Sequence, residues 1–173
     1  MKRDVLSVPI RIRQAQRSDI PHMARIWEIE KGEGGTSEDR MSAYFEARLH
    51  PQKALLPRVI YLAEEAGELI GYIAGHLTRR YACDGELEWL YVTPQRRRTG
   101  VASNLLLRLV AWFKEQQASR VCVNVAPLNT IAHRFYARHG AEVLNQHWLV
   151  WNDIAAAGRQ HEENSGGTVA GLR

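Results

Sequence analysis

At 173 residues, with 45% apolar and 24% charged side chains, the chain has the length and composition of one globular domain with a substantial core. No stretch approaches the roughly 18 consecutive apolar residues of a membrane-spanning helix. Residues 1–7 lack the apolar run of a secretory leader, and Cys83 and Cys122 are too few and too far apart for a disulfide framework or zinc site, so the cytoplasm is the expected compartment. The net charge of +4 suits an anionic partner, either a cofactor phosphate or a nucleic acid, without choosing between them.

Residues 10–14 alternate as a half-buried strand does. Ser18 and Asp19 can cap a helix with Pro21 in its first turn and Ile20, Met23, Ala24, Ile26 and Trp27 on its apolar face. Lys31 to Thr36 reads as a glycine-rich loop, after which Thr36 or Ser37 starts a second helix carrying Met41, Tyr44, Phe45 and Leu49 and ending before Pro51. Residues 58–64 and 69–78 read as a hairpin turning at Ala66-Gly67-Glu68, and 86–92 as the next strand. From Gly100 to Gln117 an amphipathic pattern predicts a long helix facing the sheet with Leu105, Leu106, Leu109, Val110 and Phe113. A short strand follows over 121–125, then a helix capped by Asn129 and stopped by Gly140, then a last strand over 147–152. Strand, helix, strand in this half implies a parallel crossover, and the earlier hairpin makes the sheet mixed. Residues 1–154 read as one domain, and the Ala-, Gly- and polar-rich 155–173 as a mobile tail.

The stretch from Leu90 to Ala102 carries the most specific chemistry. An apolar strand end, Leu90-Tyr91-Val92, runs through a turn bearing Arg96, Arg97 and Arg98 to Gly100, which opens the long helix. A helix start presents unpaired N–H groups and the positive end of its dipole, so this is an anion site of the kind that holds a pyrophosphate. The Gly-x-x-x-x-Gly-Lys-Ser/Thr of a P-loop and the Gly-x-Gly-x-x-Gly of a dinucleotide turn are both absent.

Arg97-Arg98-Thr99-Gly100-Val101-Ala102 matches the signature Gln/Arg-x-x-Gly-x-Gly/Ala, and in it the chain resembles the GNAT superfamily of acetyl-CoA-dependent N-acetyltransferases. The Leu-Tyr-Val-x-Pro before it, and Asn129-x-x-Ala132-x-x-x-Tyr136 followed by Gly140 after it, are similar to the same family at the family's spacing. The clear resemblance covers residues 86–141, and a weaker one 10–151. It implies an α/β fold with a twisted mixed sheet flanked by helices and splayed where acetyl-CoA enters. It further implies that the amides of Arg98, Thr99, Gly100, Val101, Ala102 and Ser103, beside Arg97, hold the coenzyme A pyrophosphate. The backbone of Leu90, Tyr91 and Val92 would pair with the pantetheine arm, one N–H facing the thioester carbonyl as an oxyanion donor. Position 98 is glycine in the commonest form of the family and arginine here. Asn129 caps its helix, and by resemblance also touches the cofactor arm. Tyr136 is the first candidate for chemistry: by resemblance it protonates the departing thiolate, a role a phenol of pKa roughly 10 can fill, with a core tyrosine beside Phe135 as the alternative.

An amine of pKa roughly 10.4 must lose a proton before it attacks. Some peptide-modifying relatives place a glutamate on the strand before the Asn-capped helix, where this chain has Asn124, an amide that cannot act as a base. Glu86 and Glu88, two apart on the cofactor strand and so on one face, are the candidate bases, with a solvated strand-end pair as the alternative. His76 and His133 have suitable chemistry, though a surface position is the commoner one for histidine. Cys83 and Cys122 have no recognisable activating neighbour, and no metal is expected. The acceptor side carries Glu28, Glu30, Glu33, Glu38 and Asp39, which suit a cationic amine or are solvated loop charge, and Trp27, Trp89 and Trp148 are pocket walls or core. The resemblance therefore implies acetyl transfer from acetyl-CoA to a primary amine of a small molecule or peptide by direct attack in a ternary complex. A noncatalytic acyl-CoA-binding module and a nucleic-acid-binding protein using Arg96–Arg98 are the readings from other classes. Homodimers are common in such folds, and nothing in the chain fixes one.

Overall fold

The computed structural model describes residues 8–31, 37–48 and 54–159. Its elements run β1 (Arg11–Gln14), α1 (Ile20–Lys31), α2 (Ser37–Phe45), β2 (Ala54–Glu65), β3 (Glu68–Thr78), β4 (Gly85–Val92), α3 (Val101–Glu115), β5 (Val121–Asn124), α4 (Thr130–Arg138), β6 (Glu142–Asn145) and β7 (Trp148–Trp151). The strands form one seven-stranded sheet in the order β1-β2-β3-β4-β5-β7-β6. Neighbours are antiparallel except β4 and β5, which run parallel with α3 as their crossover. This is the mixed sheet that the alternation of elements predicts.

Each face of the sheet has its own core. On one, all five predicted α3 residues are buried: Leu105, Leu106, Leu109, Val110 and Phe113 pack with Val59, Tyr61, Ile73, Leu87, Val121 and Tyr136. Each such aliphatic side chain contributes about 1.5–3 kcal/mol on leaving water. Gly75 and Gly85 let α3 settle this close, and Gly71 makes room for the backbone of the neighbouring strand. A Cβ on Gly75 would lie 2.9 Å from Leu109 Cδ1, one on Gly85 2.4 Å from Phe113 Cε1, and one on Gly71 2.7 Å from the Tyr91 carbonyl. On the opposite face, Ile20, Met23 and Ala24 of α1 with Met41 and Tyr44 of α2 cover Ile60, Leu62, Tyr72, Ala74 and Tyr91.

Local chemistry explains the boundaries. Asp19 accepts from the Gln16 N–H at 2.7 Å and from both terminal nitrogens of Arg13 at 2.8 Å, so a 3-10 turn over Arg17–Asp19 leads into α1. The helical start therefore lies about one turn before the predicted cap. The hairpin turns at Ala66 and Gly67, both left-handed with φ of 51° and 80°. β2 begins at Ala54 rather than residue 58, because a register shift between Leu55 and Arg58 carries the strand past Pro57.

Two expectations are corrected. The strand β6 was not anticipated; it forms the sheet edge, where Val143 is 75% exposed, and so has no strong apolar alternation. The tail expected from residue 155 does not begin there. Residues 155–159 form a helical turn, and Ile154 and Ala157 are buried in the α3-side core. The ordered domain thus extends past 154 to at least 159. Leu49 lies outside the described residues, as does 160–173. Among the described residues no helix is long and apolar enough to cross a membrane.

Candidate active site

The site begins with an irregularity in β4. Its pairing with β3 matches Leu87 to Gly75 and Trp89 to Ala74, which leaves Glu88 as the extra residue of a bulge. Pairing of β4 with β5 ends at the same place: Gly85, Glu86 and Leu87 face Val121, Cys122 and Val123, and no later pair forms. Asn124, at the end of β5, pairs away from β4 with Trp148. The two parallel strands therefore part, and the β5-side edge of residues 88–92 has no strand partner among the described residues. Leu90 and Val92 point toward the α3-side core, while Tyr91 points the other way and stacks on Tyr72 with ring centroids 5.6 Å apart.

Beyond this edge lies the anion turn. A 3-10 turn over Pro94–Arg96 leads to Arg98 and Gly100, both left-handed with φ of 64° and 87°. The left-handed Arg98 explains why glycine suits that position. Gly100 is the N-cap of α3 with no side chain to cap it, and the helical ladder opens with the Asn104 N–H donating to the Gly100 carbonyl at 3.0 Å. The amides of Val101, Ala102 and Ser103 precede that first bond. A Cβ on Gly100 would meet nothing within 4 Å, so the space above the helix mouth is open.

The three arginines of the turn differ in role. Arg96 pairs with Glu65 at the end of β2. The Arg97 Nε donates to the Val92 carbonyl at 3.0 Å, and its guanidinium lies 5.9 Å from the centre of the Tyr91 ring. Arg98 is exposed. The Thr99 hydroxyl donates to the Arg96 carbonyl at 2.6 Å, bracing the turn, and the Ser103 hydroxyl meets His139 Nε2 at 3.1 Å.

Asn129 caps α4 as predicted, its side chain accepting from the Ala132 N–H at 3.1 Å. Tyr136 is buried in the α3-side core, edge-on to Trp151 with centroids 5.6 Å apart, and burial pushes its phenol pKa well up. His133 is half-buried with Nε2 3.2 Å from the Ala126 carbonyl.

On the α1/α2 face, a charged cluster forms beneath the bulge. Glu86 and Glu88 do share a face, and His76 of β3, paired opposite Glu86, joins them in one cluster. His76 is not at the surface; it is 0% exposed, with Nδ1 3.0 Å from the Tyr44 hydroxyl and Nε2 3.6 Å from Glu86 Oε2. Glu86 accepts from Arg80 Nε at 3.1 Å, and Glu88 more loosely from Arg40 at 3.4 Å. Burial is the main cause that pushes the Glu88 carboxyl pKa up; the Glu86 charge adds to it, and His76 and Arg40 oppose it. The donor set resembles that of a divalent cation, but an arginine already compensates each carboxylate. The sequence hides this cluster because His76 sits in an otherwise apolar strand and its α2 partners, Tyr44 and Arg40, are distant in the chain. Of the acceptor-side acids, Glu28, Glu38 and Asp39 are exposed, and the side chains of Glu30 and Glu33 lie outside the described residues. Trp27 and Trp89 flank the α1/α2-side core, whereas Trp148 lies apart, clustered with Cys83, Cys122 and Val150. Burial pushes the Cys122 thiol pKa well up, which suits a packed thiol and not a thiolate nucleophile.

Known proteins share this fold. Residues 23–141 match the family model described as "Acetyltransferase (GNAT) family". An uncharacterized N-acetyltransferase of Mycobacterium tuberculosis is 35% identical over 86 residues, 50% of this chain and 54% of that protein, and one of Mycobacterium bovis matches equally. The chain thus spans about half the length of the curated relatives it matches. Among solved structures, an aminoglycoside N-acetyltransferase in complex with CoA is similar with a TM-score of 0.67 and 22% identity, over 82% of this chain and 93% of that one. An acetyltransferase from Thermus thermophilus is similar with a TM-score of 0.67 and 19% identity, over 84% and 99%. The PaiA N-acetyltransferase from Thermoplasma acidophilum, in complex with coenzyme A, is similar with a TM-score of 0.61 and 18% identity, over 82% and 96%. At these identities the likeness is one of fold.

Proposed function

Since the chain belongs to the GNAT acetyltransferase family, we propose that it transfers an acetyl group from acetyl-CoA to a primary amine of a small molecule or peptide, by direct attack in a ternary complex. The observation that carries this reading is the uncapped mouth of α3, open above Gly100, next to the free edge of β4 beyond the Glu88 bulge. The amides of Arg98 to Ser103 hold the pyrophosphate, with Arg97 beside them. Residues Leu90, Tyr91 and Val92 offer backbone donors and acceptors to the pantetheine arm, as a neighbouring strand would. A main-chain N–H near the bulge stabilises the oxyanion as the amine attacks.

Glu88 is the better base of the two carboxylates, because Arg80 and His76 hold Glu86. An ammonium sheds two protons on acetylation. One passes to Glu88 and leaves with solvent; the other reaches the departing sulfur, with Tyr136 as its donor. Asn129 borders the cofactor arm from the cap of α4.

Two features speak against nucleic acid as the partner: Arg96 is paired within the fold, and Arg97 turns back onto its own strand. The test is thermal shift with acetyl-CoA, CoA and an oligonucleotide, followed by free-thiol detection across a panel of amines. Acetyl-CoA and CoA are expected to raise the melting temperature, and thiol release to require an added amine. Binding without thiol release from any amine would make the chain a noncatalytic module. Oligonucleotide binding that acetyl-CoA does not displace would overturn the assignment.

A further inference from the structure

His76 is the one histidine among the described residues with no solvent exposure at all, and its Nε2 has no hydrogen-bond partner. A buried polar atom left unpaired is costly to the fold. Its position relative to charge shows what it does. Nε2 faces the Glu86 carboxylate at 3.6 Å, and the ligand atoms of His76, Glu86 and Glu88 all lie within 4.8 Å of one another.

The tautomer follows from the neighbours. A lone pair on Nε2 would face the Glu86 carboxylate and be repelled, while an N–H there is attracted. Nδ1 must then accept, and its partner is the Tyr44 hydroxyl at 3.0 Å. Tyr44 is itself fully buried under the Trp89 ring, and burial and the Glu88 charge hold its phenol pKa well above the usual value, so it keeps the proton it donates. Tyr44 thus fixes the imbalance of the imidazole: acceptor behind, donor in front.

We propose that His76 is a positioning residue, whose Nε2–H, oriented by Tyr44, faces the Glu86 carboxylate and the neighbouring Glu88 and keeps Glu88 ready to take the proton of the acceptor ammonium. This rests on the acetyltransferase reading. The ammonium N–H breaks, a Glu88 O–H forms, and Glu88 returns the proton to water past Arg40 between turnovers; His76 keeps its own proton throughout. The groups that face Glu88 are Glu86 on its own strand, His76 on β3, and Arg40 and Tyr44 on α2. Behind them stand Arg80 on Glu86, Arg58 of β2 over the Tyr44 ring, and Cys122, which β5 sets across from Glu86. Arg40 is mostly exposed, so its pairing with Glu88 is screened by water, whereas the His76 Nε2–H acts from a position with no solvent exposure.

The test is a pH titration by carbon NMR of protein labelled at the glutamate carboxyls, with Glu88 assigned by the signal lost in Glu88→Gln. In His76→Phe the Glu88 midpoint is expected to rise by about one pH unit. His76→Gln can place an N–H where Nε2–H stood and is expected to restore most of it. Tyr44→Phe frees the ring and is expected to raise the midpoint by less, which keeps the test open should His76→Phe fail to fold. The acidic limb of acetyl transfer from acetyl-CoA to glycinamide is expected to move with the NMR midpoint, while affinity for CoA is unchanged. A parent-like midpoint in folded His76→Phe, or a Gln variant displaced as far as the Phe variant, would overturn the role of His76 while leaving the transferase reading intact. A displaced midpoint with no thiol release from any amine would instead remove the transferase reading, and with it the catalytic purpose given to His76.

Discussion

Arg98, Gly100 and Asn129 show what single residues can announce. A glycine after basic residues at a helix start, and an asparagine three before Ala132, have local consequences, a left-handed cap and an Asn129–Ala132 bond, that need no tertiary contact to form. His76 reads in the sequence only as a histidine of suitable chemistry and Tyr44 only as an apolar-face residue, because their meaning comes from a pairing between β3 and α2 that no local pattern encodes. Tyr136 stands between these cases. Its buried phenol stays protonated across the neutral range, since burial pushes its pKa up. Tyr136→Phe is expected to slow turnover by about 100-fold and leave acetyl-CoA affinity unchanged, read from steady-state kinetics and calorimetry. An unchanged rate would assign Tyr136 to packing alone. Asp19 supplies a stability test away from the site. Its bonds with Arg13 hold its carboxyl below the ordinary range, so its contribution is present above the unfolded pKa and lost as pH falls through the folded one. Asp19→Asn is expected to cost about 1 kcal/mol at pH 7, with the gap closing in acid, measured by denaturant unfolding at each pH.

Among elements, α3 was the most legible and β6 the least. The apolar repeat from Leu105 to Phe113 is long and regular, and all five of its core residues are buried where the period puts them. β6 is four residues at a sheet edge, held by pairing to β7 and not by its own apolar face. The bulge at Glu88 was also invisible, since an extra residue in a strand is fixed by the register of its partner. It is nonetheless the feature that brings Trp89 and Tyr91 onto the face that Glu86 and Glu88 already share, toward α1 and α2, where β4 parts from β5. The seating of α3 on this strand is tight. Gly85→Ala would put a Cβ 2.4 Å from Phe113, and is expected to destabilise the fold by about 1–3 kcal/mol in chemical denaturation. Restored stability in the double variant Gly85→Ala with Phe113→Leu would confirm that the clash is with that ring, and unaltered stability of Gly85→Ala itself would contradict the packing described.

At the scale of the whole molecule, the open mouth of α3 lies beyond the end of β4 and the His76, Glu86 and Glu88 cluster lies on the face under α1 and α2, so that β4 joins them. The family resemblance reached the first because main-chain geometry there is written in a short motif, while the acceptor side draws on α1, α2 and β3 with no motif to mark it. The domain also extends beyond its expected end, with Ile154 and Ala157 sealing the α3-side core. Binding at the helix mouth is what the account of function depends on. Titration calorimetry of acetyl-CoA into the folded protein, and into Gly100→Leu, tests it most directly. The parent is expected to bind with a saturating heat. The leucine variant, forced into a left-handed φ of 87° with its side chain in the open space above the amides, is expected to bind at least about 10-fold more weakly while remaining folded. No heat from the parent, or equal affinity in the two proteins, would contradict the account.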